Sequence, residues 1–86
     1  MRLENLQQII EIEKQQSVSK AAKALYMSQP ALSGALNHLE DEIGVRLFER
    51  TPTGVVPTPE GTDILQLAKQ IMECTNQILN YGKQNQ

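Results

Sequence analysis

Two helix-start signals stand nine residues apart in this chain, at Ser19 and Ser28. A serine hydroxyl at such a position accepts a hydrogen bond from an orphan N–H of the first helical turn. Pro30 falls in the first turn behind Ser28, where its missing N–H costs little. The spacing leaves room for one helix of about two turns and a tight corner before the next helix begins. It predicts a short helix over Lys20 to Leu25, a turn at Tyr26 and Met27, and a longer helix after Ser28. Ala21, Ala22 and Ala24 let another helix approach the short one closely, and Leu25 supplies an anchor. In the longer helix Leu32, Leu36, Leu39 and Ile43 fall at i, i+4, i+7 and i+11, one apolar stripe. Gly44 then suits the left-handed residue that closes a helix.

The flanking segments fit around this pair. Leu3, Leu6, Ile9, Ile10 and Ile12 recur at helical spacing and predict an amphipathic first helix ending near Gln16. After Gly44 the pattern alternates: Val45 and Leu47 share one side, Arg46, Phe48 and Arg50 the other. Thr51-Pro52-Thr53-Gly54 carries turn chemistry, and Val55-Val56 returns as a second strand that Pro57 confines to an edge. A β-hairpin over 45–57 is expected. Thr58-Pro59-Glu60 starts a final helix with a cap, a proline and an acid in the first turn. That helix runs to about Tyr81. Ile64, Leu67, Ile71, Cys74, Ile78 and Tyr81 repeat in 3-4-3-4-3 steps, beside a second stripe of Leu65, Ala68, Met72 and Leu79. Two adjacent stripes expose more apolar surface than one small domain can cover, so one is expected to face its own domain and the other a partner helix. Residues 1–58 and 59–86 divide accordingly, with Lys83 to Gln86 as a polar tail.

Composition narrows the classes. The chain of 86 residues has three aromatics, Tyr26, Phe48 and Tyr81, so its core must be aliphatic, which suits packed helices. Cys74 is the only cysteine, so no intrachain disulfide forms; on its stripe it is expected to be packed and inert. No run is apolar enough for a signal peptide or a membrane span, and a soluble cytoplasmic domain is expected. There is no Gly-rich phosphate loop, no metal cluster and no nucleophile beside a base, so neither an enzyme nor a cofactor is expected. His38 has no second ligand at metal spacing and is expected at the surface or beside a phosphate. Glu40, Asp41 and Glu42 read as a solvated helix end, paired at most with Arg46 or Arg50.

Two helices joined by a tight turn and followed by a hairpin describe a winged helix-turn-helix: mainly α, a three-helix core with a β-hairpin wing, extended by a long C-terminal dimerisation helix. The second helix of the pair, 28–43, is then the recognition helix. With its leucine stripe turned inward, Gln29, Pro30, Ser33, Gly34, Asn37 and His38 face out. Gln and Asn pair bidentately with adenine edges, Ser serves several bases, and Pro can touch a thymine methyl. Such directional groups read sequence, whereas point charges do not.

The segment "AAKALYMSQPALSGALNHLEDEIGVRLFERT…G…PTPEG" resembles the N-terminal DNA-binding domain of LysR-type transcriptional regulators of bacteria, over nearly the whole chain. The joined set Ser28-Gln29-Pro30-Ala31 with Ser33, Leu39-Glu40, Gly44, Leu47-Phe48-Arg50, and Thr58 with Gly61 is far more specific than any one piece. The resemblance implies double-stranded DNA as partner, with Ser28, Gln29, Pro30 and Ser33 in the major groove. Arg50, Thr53 and Gly54 would sit at the backbone or minor groove, and Ser19 and Lys20 at the start of the short helix. It implies a homodimer clasped along helix 59–81, and a small-molecule effector bound only by a C-terminal domain outside these residues. The chain departs from the family in its charge. No basic residue lies between Ser28 and Val45, Thr53 occupies a wing tip that often carries Arg, and the net charge is −2. Weak binding by one domain is therefore expected, supported by Lys20, Lys23, Arg46, Arg50, helix N-termini and dimer avidity. The same charge balance also suits a winged-helix protein-interaction module that binds no DNA.

Overall fold

A computed structural model describes residues 1–84. The element order is α1 (Leu3–Gln15), α2 (Val18–Ala24), α3 (Gln29–Ile43), β1 (Phe48–Thr51), β2 (Gly54–Pro57), α4 (Pro59–Leu79) and α5 (Tyr81–Gln84). Of the polar tail expected over 83–86, the last two residues lie outside the described part.

The inward faces of α1, α2, α3 and α4 meet in one aliphatic core. Leu6, Ile9 and Ile12 come from α1, Ala21 and Ala22 from α2, Leu32 and Leu39 from α3, Leu65 and Ala68 from α4. Leu47, Phe48 and Val55 close it from the hairpin side. Each fully buried Leu or Ile contributes about 1.5–3 kcal/mol through the apolar surface it removes from water. Ala24, third of the small residues expected against a neighbour, is exposed, and Leu25 is half-buried.

The corner between α1 and α2 is tighter than the sequence pattern implies. Gln16 closes α1 in the left-handed region at φ 55°, its N–H reaching the Ile12 and Glu13 carbonyls. The N-cap of α2 is Ser17, not Ser19: the Ser17 hydroxyl accepts the Lys20 N–H at 3.1 Å. Val18 is thus already helical, and Ser19 lies exposed in the first turn. At α3 the expected cap holds, with the Ser28 hydroxyl accepting the Ala31 N–H at 3.2 Å and Pro30 in the first turn. Gly44 ends α3 at φ 89°, its N–H on the Glu40 carbonyl. The stripe buries Leu32 and Leu39 fully and Leu36 in part, while Ile43 at its end is exposed.

β1 and β2 pair antiparallel, Phe48 opposite Pro57 and Thr51 opposite Gly54. The ladder begins three residues later than the alternation suggests. Leu47 precedes it outside the ladder, so the strand alternation does not bind it, and Leu47 and Phe48, neighbours in sequence, are both buried. Thr58 joins hairpin to rod: its hydroxyl donates to the Arg46 carbonyl at 2.6 Å and accepts the Gly61 N–H at 2.9 Å. α4 then packs Leu65 and Ala68 against α1, with Lys69 Nζ 2.7 Å from a Glu13 carboxylate oxygen. Past Met72 it leaves the core. The helix stops at Leu79 with Asn80 as cap, so Tyr81 opens the short α5 instead of completing the rod. No helix among the described residues is long and apolar enough to cross a membrane.

Candidate nucleic-acid interface

Nearly three turns of α3 carry the candidate face. Gln29, Pro30, Gly34, Asn37 and His38 are exposed and Ser33 half-buried; Gly34 and Asn37 lie on the flank away from Leu32 and Leu39, and Gln29 in the open first turn. Ser28 is exposed too, although its oxygen is committed to capping the helix. That cap fixes the start of α3, and the buried stripe fixes its rotation, so the polar face is held outward by the packing behind it. Ser19 and Lys20 lie exposed at the N-terminal end of α2.

The wing is attached to the end of α1 by backbone contacts. Val55 N–H donates to the Gln16 carbonyl at 3.1 Å. Gly54 is half-buried against the same carbonyl: its φ is 153°, and a Cβ there would collide with the Gln16 oxygen. Gly54 therefore positions the hairpin, while Thr53 beside it is exposed at the tip. Arg50 is exposed and forms no ion pair among the described residues. Between α3 and the wing lies a crevice of about 70 Å³ whose lining includes Ser33, Glu40, Arg46 and Arg50. Helix face and wing arginines thus share one surface.

Glu40 departs from its expected solvated place. It is buried, and its carboxylate accepts the Leu47 N–H at 2.6 Å, with Arg46 Nε 3.8 Å from the same oxygen. A charge-assisted hydrogen bond here satisfies a donor that the hairpin ladder cannot reach. It ties the end of the recognition helix to the root of the wing. Replacing Glu40 by Leu should cost about 1–3 kcal/mol of stability, because the Leu47 N–H is left buried without an acceptor. Urea denaturation checks this, and an unchanged midpoint would refute the assignment.

Charge on α3 is one-sided. Asp41 and Glu42 are exposed at its C-terminal end, and no Lys or Arg lies on the helix. The N-terminal ammonium hydrogen-bonds Glu42 at 2.8 Å and so holds that carboxyl below the usual carboxylate range. Among the described residues no group of three His, Cys, Asp or Glu side chains is placed to hold a metal.

The outer seam of α4 is open along much of its length. Leu67, Ile71, Cys74, Ile78 and Tyr81 are exposed, the first at 57% and Ile78 at 74%. Cys74 is thus uncovered within a single chain. Ile64, assigned to this seam by periodicity, is half-buried and packs on the chain's own core.

The sequence model of bacterial regulatory helix-turn-helix proteins of the lysR family matches residues 3–62. The chain belongs to the LysR family. It is 35% identical over 83 residues to the transcriptional regulator BenM of Acinetobacter baylyi, covering 96% of this chain and 27% of that protein. It is 42% identical over 73 residues to BsdA of Bacillus subtilis, covering 84% of this chain and 25% of that one. The chain therefore spans about a quarter of the length of these curated relatives. Its fold matches the BenM_DBD/catB site 1 DNA complex with a TM-score of 0.90 at 35% identity, covering 96% of this chain and 89% of that one. The CbnR_DBD-DNA complex matches with a TM-score of 0.89 at 28% identity, covering 99% and 98%. The winged helix-turn-helix with its long C-terminal helix is thus the fold of this LysR chain.

Proposed function

We infer that this LysR-family chain is a sequence-specific binder of double-stranded DNA in transcription regulation. In this reading residues 1–58 form the reading head and helix 59–81 the dimerisation rod. α3 enters the major groove, with Gln29, Pro30, Ser33, Asn37 and His38 toward base edges. Lys20, Lys23, Arg46 and Arg50, with the wing tip at Thr53, meet the phosphate backbone. Two protomers clasp along the outer seam of α4 and present two reading heads. The setting is the cytoplasm, the role is not catalytic, and any small-molecule effector acts through a domain outside these residues.

One observation carries the proposal. A helix whose cap and buried stripe fix its rotation turns Gln, Ser and Asn outward where a solvated helix would carry Lys and Glu. The likeness to domains held in DNA complexes supports it.

A gel-shift series with promoter fragments tests it. Specific retention at low salt is expected, weakening as salt rises. With four cations per protomer at phosphates, log affinity falls against log salt with a slope of about −3 to −4 per protomer. A flat salt response would favour the protein-interaction module instead. Gln29→Ala should cost about 1–3 kcal/mol of binding and relax one base preference. An unchanged footprint and affinity would remove Gln29 from the reading face.

A further inference from the structure

Gly34 occupies the middle of the outward face of α3, two residues from Leu32 and two from Leu36, the stripe that turns inward. A glycine inside a helix weakens it relative to alanine, because more backbone freedom is lost and nothing is packed. At Gly54 and Gly61 this weakness has a local reason, since a Cβ would run into the backbone of Gln16 or Leu47. At Gly34 nothing of the protein lies within 4 Å of where a Cβ would be, and the residue is exposed. The fold has room for a side chain there and would be more stable with alanine. Glycine in such a place leaves the backbone open to close approach by something outside the chain.

We propose that Gly34 is a specificity determinant: its missing side chain lets the first two turns of α3 lie closer to the base edges than a side-chain-bearing helix could. The proposal rests on the DNA-binding reading above. The short side chains around Gly34 agree with it. Ser33 and Asn37 reach only a little way, so their hydrogen bonds to bases require a close backbone. Asp41 stands on the same row two turns on and is exposed, where a phosphate would be repelled. Close approach is thereby confined to the N-terminal half of the helix, the half that carries Gln29, Pro30 and Ser33.

The unaltered chain is used to enrich duplexes from a randomised pool, and the winning duplex becomes the probe. Gly34→Ala is then compared with the parent on that duplex and on an unselected one. The expected result has two opposite signs. The melting midpoint rises by about 4 °C, while affinity for the selected duplex falls about tenfold and affinity for the unselected duplex stays unchanged. A stabilised variant that keeps the parent's ratio of selected to unselected binding would overturn the proposal. Failure of the parent to enrich any duplex would instead strike the DNA-binding reading, and this inference with it, so the two failures are told apart.

Discussion

Gly61→Ala is expected to cost the protein a large part of its stability. Gly61 lies buried in the first turn of α4, and a Cβ there would be driven into the carbonyl oxygen, carbonyl carbon and Cα of Leu47. These are backbone atoms with no room to yield. The Leu47 N–H is held by Glu40, its carbonyl accepts the Thr58 N–H at 3.0 Å, and its side chain is fully buried. Relief requires lifting α4 from the hairpin, which opens the core at Leu65 and breaks the Thr58 cap. A forced overpacking of this kind costs about 3 kcal/mol or more. A chain of 86 residues has only roughly 4–13 kcal/mol of stability. Circular dichroism with urea should show the midpoint moving sharply down. Gly34→Ala, the same chemical change on an open helix face, is the control of opposite sign. A Gly61→Ala protein that melts with the parent would mean that α4 does not sit against Leu47 as described.

Leu67→Asp should leave the fold intact and destroy tight binding to DNA carrying two half-sites. Leu67 is more than half exposed, while its neighbours Leu65 and Ala68 supply the buried contact of α4 with the core. Its substitution therefore spares the protomer, within about 0.5 kcal/mol. In the proposed dimer the same position is enclosed between two rods, and a carboxylate there is desolvated without a partner. The seam should fail, and with it the gain from linking two reading heads, which is on the order of 100-fold in apparent affinity. Light scattering should report a monomer, and a duplex with one half-site should bind as before. A variant that remains dimeric would move the seam elsewhere on the chain.

The elements that could be read from sequence are those whose causes are local. Ser28 with Pro30, and Thr58 with Pro59, announce helix starts because a cap acts on its own next turn. Gly44 announces an end for the same reason. Period separates the two stripes of α4 in part: Leu65 and Ala68 turn inward, while Leu79 of the same stripe is exposed. What escaped depends on partners distant in sequence. Glu40 sits in a run of three acids that looks solvated, and only the arrival of Leu47 makes it a buried acceptor. Ser17 and Ser19 are equally good caps in isolation; the corner at Gln16 selects the first. Ile64 follows the outer period, yet the rod is still close enough to α1 at that level to bury it in part. On the candidate site, the outward flank of α3 was legible, whereas the seat that Gly54 gives the hairpin against Gln16 was not.

That seat has a thermodynamic consequence. A two-strand ribbon alone is barely stable in water and would sample many orientations. Here one strand is pinned near its turn by the Gln16 carbonyl, and both roots are held, by Glu40 and by Thr58. Little orientational freedom is left for a ligand to freeze, so docking against Thr53 or Arg50 forfeits hardly any chain entropy. The hairpin behaves as a fixed prong, and substitutions at its tip alter what it touches without altering where it stands.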